Sequence, residues 1–254
     1  METPRISARG LRKAFASGTV AIDGIDLDVG DGEFVSIVGP SGCGKTTFLR
    51  IAAGLEQATS GSVALNVTND RRDTLPCASV FQEHSLFPWM TLRRNIAFAF
   101  DRLQIDAGER ERRVDEQLAL VNLTRFADSY PHQLSGGMKQ RGAVARAFAV
   151  DPQVLLMDEP FGALDEQTRV GLASELLALW ERDRKTVLFI THSIEEALVL
   201  SDRVVVMTAH PGRIREIVRV PFARPRDPIE LRANPEFGQL TVHIWHLLRA
   251  EVAL

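Results

Sequence analysis

A chain of 254 residues, 45% hydrophobic and 25% charged, has the bulk for one large globular domain or two small ones. Its net charge of -3 argues against a general nucleic-acid binder, and its two scattered cysteines, Cys43 and Cys77, give neither a disulfide framework nor metal-ligand spacing, which fits a reducing cytosol. The opening METPRISARG lacks the apolar core of a signal peptide, and no run has the length of a spanning helix, so any membrane link is expected to run through a partner.

The first sixty or so residues read mostly as strands. Ile25, Leu27 and Val29 alternate with Asp26 and Asp28, the pattern of a half-buried strand. Phe34 to Val38 is a nearly continuous apolar run, which suits a strand covered on both faces. TTFLRIAAGL predicts a helix. Val63, Leu65 and Val67 alternate again after a turn signal at Gly61 and Ser62. The middle of the chain is helical. Val114, Leu118 and Val121 recur at helical spacing, and MKQRGAVARAFAV forms a second stretch in which Gly142 costs about 1 kcal/mol relative to alanine.

VLLMDEP predicts a buried strand ending in acid. TRVGLASELLALW predicts a helix with Val170, Ala173, Leu177 and Trp180 on one stripe. TVLFITHS and RVVVMTA predict strands, with the helix SIEEALVL between them. Strands alternating with helices indicate a parallel sheet covered by helices. Beyond Pro221 the composition changes. FARPRDPIELRANPE reads as a linker to a short amphipathic tail helix carrying Leu240, Ile244 and Leu247 on one face. His243 and His246 on that helix have the spacing of a metal pair, but no third ligand is evident and they read as helix surface.

Chemistry enters at GPSGCGKTT, residues 39–47. Gly39, Gly44, Lys45 and Thr46 hold the fixed positions of G-x-x-x-x-G-K-[ST]. Phosphates must approach backbone N–H groups closely, which side chains would prevent, and the helix that follows adds its partial positive charge. Gly39, Pro40, Ser41, Gly42, Cys43, Gly44, Lys45, Thr46 and Thr47 are therefore expected to bind nucleotide. Lys45 is expected on the β- and γ-phosphates and the Thr46 hydroxyl on Mg²⁺. Asp158, at the end of VLLMD, is expected to hold the metal's hydration shell. Glu159 is expected to orient or deprotonate water for attack on the γ-phosphate.

LSGGM, Leu134 to Met138, opens the alanine-rich helix. Ser135, Gly136 and Gly137 offer a hydroxyl, free N–H groups and a helix dipole, a second phosphate site in a chain with one nucleotide pocket. Together with the phosphate loop, LLMDEP and Ala163-Leu164-Asp165, this motif resembles the ATP-binding subunits of ABC transporters, in order and spacing, up to about Pro221.

The resemblance implies an α/β fold. Its core would be a RecA-like P-loop NTPase with a mostly parallel sheet, an N-terminal antiparallel β subdomain and an inserted helical signature subdomain. It implies an ATPase domain over 1–222, with the helical insertion at about 86–150, followed by the linker and tail helix of 223–254. It also implies ATP and Mg²⁺, and a head-to-tail homodimer in which each signature faces the partner's phosphate loop. Gln82 would then be a catalytic and metal-sensing glutamine, His192 a switch histidine on the γ-phosphate, Phe15 the aromatic that stacks on adenine, and Asp165 a bridge between subunits.

Met138 stands where many members have glutamine, and Ser193 where aspartate is common. FPWMTLRRNI, YPHQLSGGM, LLMDEPFGALDEQTR and RPRDP resemble the importer subgroup for nitrate, sulfonates and taurine, whereas GSVALNVTNDRRDTLPCASV departs from it. For such an importer the implied partners are two membrane permeases docked near Phe87, Pro88 and Trp89 and, indirectly, an extracytoplasmic binding protein. The location is the cytoplasmic face of the membrane, with no nucleic acid bound. The alternatives are a soluble ABC-type ATPase acting on nucleic acid or ribosomes, against which the lack of coiled-coil insertions or tandem halves argues, and a P-loop kinase or GTPase, against which the signature and the absence of N-K-x-D argue.

Overall fold

The computed structural model describes residues 3–68, 71–81, 86–162 and 164–252. Strands β1 (Ile6–Ala14) and β2 (Val20–Val29) lead into β3 (Phe34–Val38), α1 (Lys45–Ala52), β4 (Ser60–Leu65) and β5 (Cys77–Val80). The helices α2 (Leu92–Phe98), α3 (Ala107–Leu120) and α4 (Gly136–Ala149) follow. The chain then alternates through β6 (Val154–Asp158), α5 (Glu166–Asp183), β7 (Thr186–Ile190), α6 (Ile194–Leu200) and β8 (Arg203–Met207). It ends with β9 (Ile214–Arg219), α7 (Pro228–Arg232) and α8 (Pro235–Val252).

β2, β1 and β4 form a three-stranded antiparallel sheet in that order. The larger sheet has the order β5-β6-β7-β3-β8-β9, parallel except for the antiparallel edge strand β9. This is the expected α/β architecture: a mostly parallel sheet with a separate antiparallel sheet from the N-terminal part of the chain.

Apolar side chains explain the layering. In β3, Phe34 and Val38 face a core shared with α4, α5, α6 and α8, whereas Val35 and Ile37 face the N-terminal sheet and α1. β6, β7 and β8 repeat this split, Leu155, Val187 and Val204 on one side and Leu156, Leu188 and Val205 on the other. Both faces of these strands are apolar, as covered parallel strands require.

Two local expectations change. Gly61 and Ser62 lie inside β4 rather than in a turn before it. The β1–β4 register shifts between Arg9 and Arg12. Gly61, at φ 74°, passes so close to β1 that a β-carbon there would lie 2.3 Å from the Gly10 carbonyl oxygen. Gly142 has a packing reason: a β-carbon there would lie 2.5 Å from Leu92 Cδ1, so its absence lets α4 and α2 pack closely. The strands β5 and β9 and the helix α2 are short, and no periodic pattern singles them out. The segment before β5 is tied down by ion pairs of Asp73 with Arg71 and Arg113, whose hydrogen bonds hold the Asp73 carboxyl down to about 2.

The stretch read as a linker is a strap. Arg224 donates to Asp202 Oδ1 at 2.8 Å and to Leu200 O at 2.7 Å, and its guanidinium lies 4.1 Å from the Trp180 ring centroid. Arg226, 8% exposed, donates to the carbonyls of Ser201 at 2.8 Å, Val199 at 3.1 Å and Phe222 at 2.9 Å, which closes the C-terminal end of α6. Burial, followed by the charge of Arg224, pushes the Arg226 pKa down to about 10. Beyond the strap, α8 has eighteen residues and is not the short helix expected. Ile244 is fully buried, Phe237 is nearly so, and Leu240 and Leu247 pack against the same core.

Arg226→Ala is expected to cost about 3 kcal/mol in urea unfolding, because it strips several buried carbonyls of their donor. Arg226→Lys is expected to recover less than half of the loss, since one ammonium cannot reproduce the planar fork.

Candidate functional site

The site begins with register. Ile37 in β3 pairs with Ile190 in β7, and Ile190 pairs with Asp158 in β6. Three neighbouring parallel strands thus end at one height. The loops leaving them carry the phosphate loop, Asp158-Glu159 and Thr191-His192. Sites of open α/β sheets form at such carboxyl ends.

After β3, the loop opens α1 with Gly44 at its N-cap in left-handed conformation, φ 95°. A β-carbon at Gly44 would lie 2.7 Å from the Ala21 carbonyl oxygen. No side chain caps α1. By contrast, Thr91, Asp106, Ser135, Asp165, Ser193 and Asp227 cap α2 to α7 in turn. The first N–H groups of α1 therefore have no side-chain acceptor, which fits an anionic ligand. Lys45, 6% exposed, donates through Nζ to Gly39 O at 2.8 Å and Pro40 O at 3.0 Å. Cys43 is fully buried in the core below the loop, and burial pushes its thiol pKa up.

At the end of β6, Asp158 accepts a hydrogen bond from Thr46 Oγ1 at 3.1 Å. Burial raises the Asp158 pKa, the Thr46 hydrogen bond opposes the rise, and the Glu159 charge adds to it. Glu159 has φ 43°, an uncommon left-handed conformation for a residue with a side chain. Its Oε2 lies 3.4 Å from His192 Nδ1. Ser193 caps α6 by accepting from Glu196 N at 3.3 Å, and its own N–H donates to Thr191 Oγ1 at 3.0 Å, so the turn after His192 is pinned with serine in the cap position. Arg169 joins this turn to the start of α5: it donates to Leu164 O at 2.8 Å and pairs with Glu196 at 3.3 Å. Gln82, Ala163 and their expected roles lie outside the described residues.

A cavity of about 370 Å³ lies over the loop, lined by Ser41, Gly42, Gly44, Lys45, Thr46 and Thr47. Glu159 closes one part of it. Phe15, 40% exposed at the turn between β1 and β2, lines another. Thr19, Ala21 and His210 also line it, and none of the three belongs to a sequence motif. The only trace of His210 in the sequence is a His-Pro-Gly turn signal between two strands, which marks a loop but not its neighbours.

Ser135, Gly136 and Gly137 do not line this cavity. Ser135 caps α4, accepting from Met138 N at 3.2 Å, while the Met138 side chain packs against the core. A β-carbon at Gly137 would lie 2.8 Å from Thr168 Cγ2, so the signature turn packs on the start of α5. There Asp165 caps the helix by accepting from Thr168 N at 2.9 Å, and that bond lowers its pKa. Phe87 packs against Phe98 at 4.6 Å and Trp89 at 5.5 Å between ring centroids. Pro88 is exposed, Trp89 is 68% exposed and Phe98 is 42% exposed, so the cluster forms an apolar surface rather than a buried helix start.

A phosphate loop, an acid pair at a strand end and a signature turn on one such sheet define a P-loop ATPase of the ATP-binding cassette type. The ABC transporter family model matches residues 22–162. An uncharacterized ABC transporter ATP-binding protein of Methanocaldococcus jannaschii is 48% identical over 91% of this chain and 85% of that protein. The nitrate import ATP-binding protein NrtD of Synechococcus elongatus is 47% identical over 87% of this chain and 82% of that protein. A dimeric ATP-binding cassette solved in a post-hydrolysis state with ADP and Pi superposes with a TM-score of 0.74 at 33% identity, covering 86% of this chain and 100% of that one. The chain belongs to the ABC transporter family, as one of its ATP-hydrolysing subunits.

Gly44→Ala combines a left-handed backbone with a collision against Ala21. It is expected to weaken ATP binding at least tenfold and to cost about 2–4 kcal/mol of stability, read by nucleotide titration and urea unfolding of the same sample.

Proposed function

We propose that this chain is the ATPase of an importer for a small anion, such as nitrate, a sulfonate or taurine. It works as a head-to-tail homodimer on the cytoplasmic face of the cell membrane. Two permease subunits dock near Phe87, Pro88 and Trp89, and an extracytoplasmic binding protein delivers the cargo. No nucleic acid takes part. Support for the cargo class comes from the subgroup motifs and from a relative named for nitrate import. Among the described residues no helix is long and apolar enough to cross a membrane, consistent with docking through a partner. The exposed aromatic cluster is of the kind that receives a short helix.

The observation that carries the ATPase reading is the meeting of Thr46, Asp158, Glu159 and His192 at one sheet edge from three separate strand ends. In the proposed mechanism Phe15 stacks on the adenine, while Lys45 and the uncapped N–H groups of α1 hold the phosphates. The Thr46 hydroxyl and the Asp158 carboxylate are hard oxygen donors suited to Mg²⁺, which binds through one or two such groups together with substrate phosphates. The metal, when bound, neutralises charge on the β- and γ-phosphate oxygens.

Glu159 orients the attacking water and takes up its proton, and His192 contacts the γ-phosphate. Gln82 monitors metal and water. Ser135, Gly136 and Gly137 complete the partner subunit's site, which agrees with their absence from the lining of their own chain's cavity. Asp165, against the signature turn, lies on the shared face. Closing the dimer moves the Phe87–Trp89 surfaces and the permeases with them.

Glu159→Gln is expected to bind ATP without hydrolysing it and to accumulate as a dimer in light scattering, and a variant that stays monomeric with ATP would sink the closing mechanism. Purified gently from its own cells in mild detergent, the tagged chain is expected to bring a polytopic membrane protein in roughly equal amount. Recovery with ribosomes or nucleic acid instead would leave the ATPase chemistry standing and overturn the transport assignment.

A further inference from the structure

The loop between β8 and β9 is closed on itself. Thr208 N donates to Arg213 O at 2.9 Å, Arg213 N donates to Thr208 Oγ1 at 2.9 Å, and Thr208 Oγ1 donates to Pro211 O at 2.9 Å. It is also tied to β2: Gly212 N donates to Ala21 O at 3.0 Å, Asp23 N donates to Gly212 O at 3.0 Å, and Arg213 pairs with Asp23. A β-carbon at Gly212 would lie 1.9 Å from the Cys43 carbonyl oxygen, so this loop and the phosphate loop touch backbone to backbone. These contacts tie the loop to β2 and to the phosphate loop, and it carries one side chain into the nucleotide cavity.

That side chain is His210. It is exposed, and it lines the cavity together with Phe15, Ser41, Gly42, Lys45 and Glu159. Its ring lies against the bare face of Gly42, where a β-carbon would be 3.1 Å from Cε1 and 3.4 Å from Nε2. Gly42 has φ 77° and no side chain to screen the ring from whatever the loop binds. The ring is exposed on the cavity side and is not part of a core. An imidazole carries at least one N–H in either tautomer and two when protonated. The helix N–H groups and Lys45 suit this cavity to a polyphosphate, and a polyphosphate bound there offers oxygen acceptors to that donor.

We propose that His210 is a phosphate-contacting residue of the nucleotide site, supplied by the β8–β9 loop as a donor on the cavity that Lys45 also lines. The proposal rests on the reading of the cavity as the ATP site. It adds the β8–β9 loop to the elements that hold the nucleotide, beside the phosphate loop, the acid pair and the His192 turn. It also accounts for the backbone contact at Gly212, which holds the ring in place against Gly42.

The test is titration of the wild-type chain, His210→Phe and His210→Gln with ATP, ADP and adenosine, each by displacement of a fluorescent nucleotide. Phenylalanine keeps a flat ring against Gly42 and removes the N–H, whereas glutamine keeps an N–H donor. His210→Phe is expected to weaken ATP and ADP about tenfold, as loss of a hydrogen bond to a charged partner does. Adenosine is expected to bind unchanged, and His210→Gln to stay within about twofold of wild type. Unchanged ATP affinity in His210→Phe would overturn the proposal. So would an equal loss of adenosine, which would place the ring at the base or ribose, and so would an equal loss in His210→Gln, which would make its role one of packing. Thermal midpoints without nucleotide identify a variant that fails to fold, in which case the other variant decides. A wild-type chain that binds none of the three would remove the ATP-site reading itself.

Discussion

The shared register of β3, β7 and β6 is the constraint on which the site depends. Ile37, Ile190 and Asp158 lie side by side at the carboxyl edge of the sheet, so three loops far apart in sequence begin at one height. A slip of one residue in any of these strands would exchange its two apolar faces and carry its loop out of line. Both faces of these strands are buried against separate cores, which makes such a slip costly. The hydrogen bond from Thr46 to Asp158 and the approach of His192 to Glu159 follow from that register.

A second layer of contacts holds the loops to one another. Arg169 spans from Leu164 O to Glu196 and so joins the start of α5 to the start of α6. Arg232 of α7 pairs with Glu166 at 2.9 Å and Glu195 at 2.7 Å, which brings the C-terminal segment to the same two helix starts. Exposed pairs of this kind contribute little singly. The strap beneath them is different, because Arg224 and Arg226 serve backbone carbonyls and Arg224 also stacks on Trp180. The tail is thereby part of the same packed unit as the loops around Asp165 and His192.

Much of this was legible from residue order. Alternation at Ile25, Leu27 and Val29, the apolar runs at Phe34–Val38 and VLLMD, and the stripe of Ala173, Leu177 and Trp180 correspond to elements in the structure. The short strands β5 and β9 left no pattern, since their pairing partners rather than their own periodicity define them. Gly61 reads as a turn because glycine favours turns, yet here it serves a close crossing of two strands. RPRDP reads as a linker because proline and charge favour exposure. Its arginines are drawn inward by the unpaired carbonyls at the end of α6, which no local rule announces.

Residue order alone sets out the chemistry on offer. A glycine-rich loop between strand and helix demands phosphate, and an acid pair at a strand end and a serine-glycine-glycine helix start resemble one family in order and spacing. These signals are local: each lies within about ten residues and needs only backbone sterics and helix polarity to be read. Which residues from distant segments share a space depends on the tertiary packing. It put His210 on the cavity of the phosphate loop, set Gly212 against Cys43, and turned the supposed linker into a buried clamp. Those outcomes depend on how two sheets and their helices close over shared cores, a property of the whole packing that no single stretch of the chain encodes.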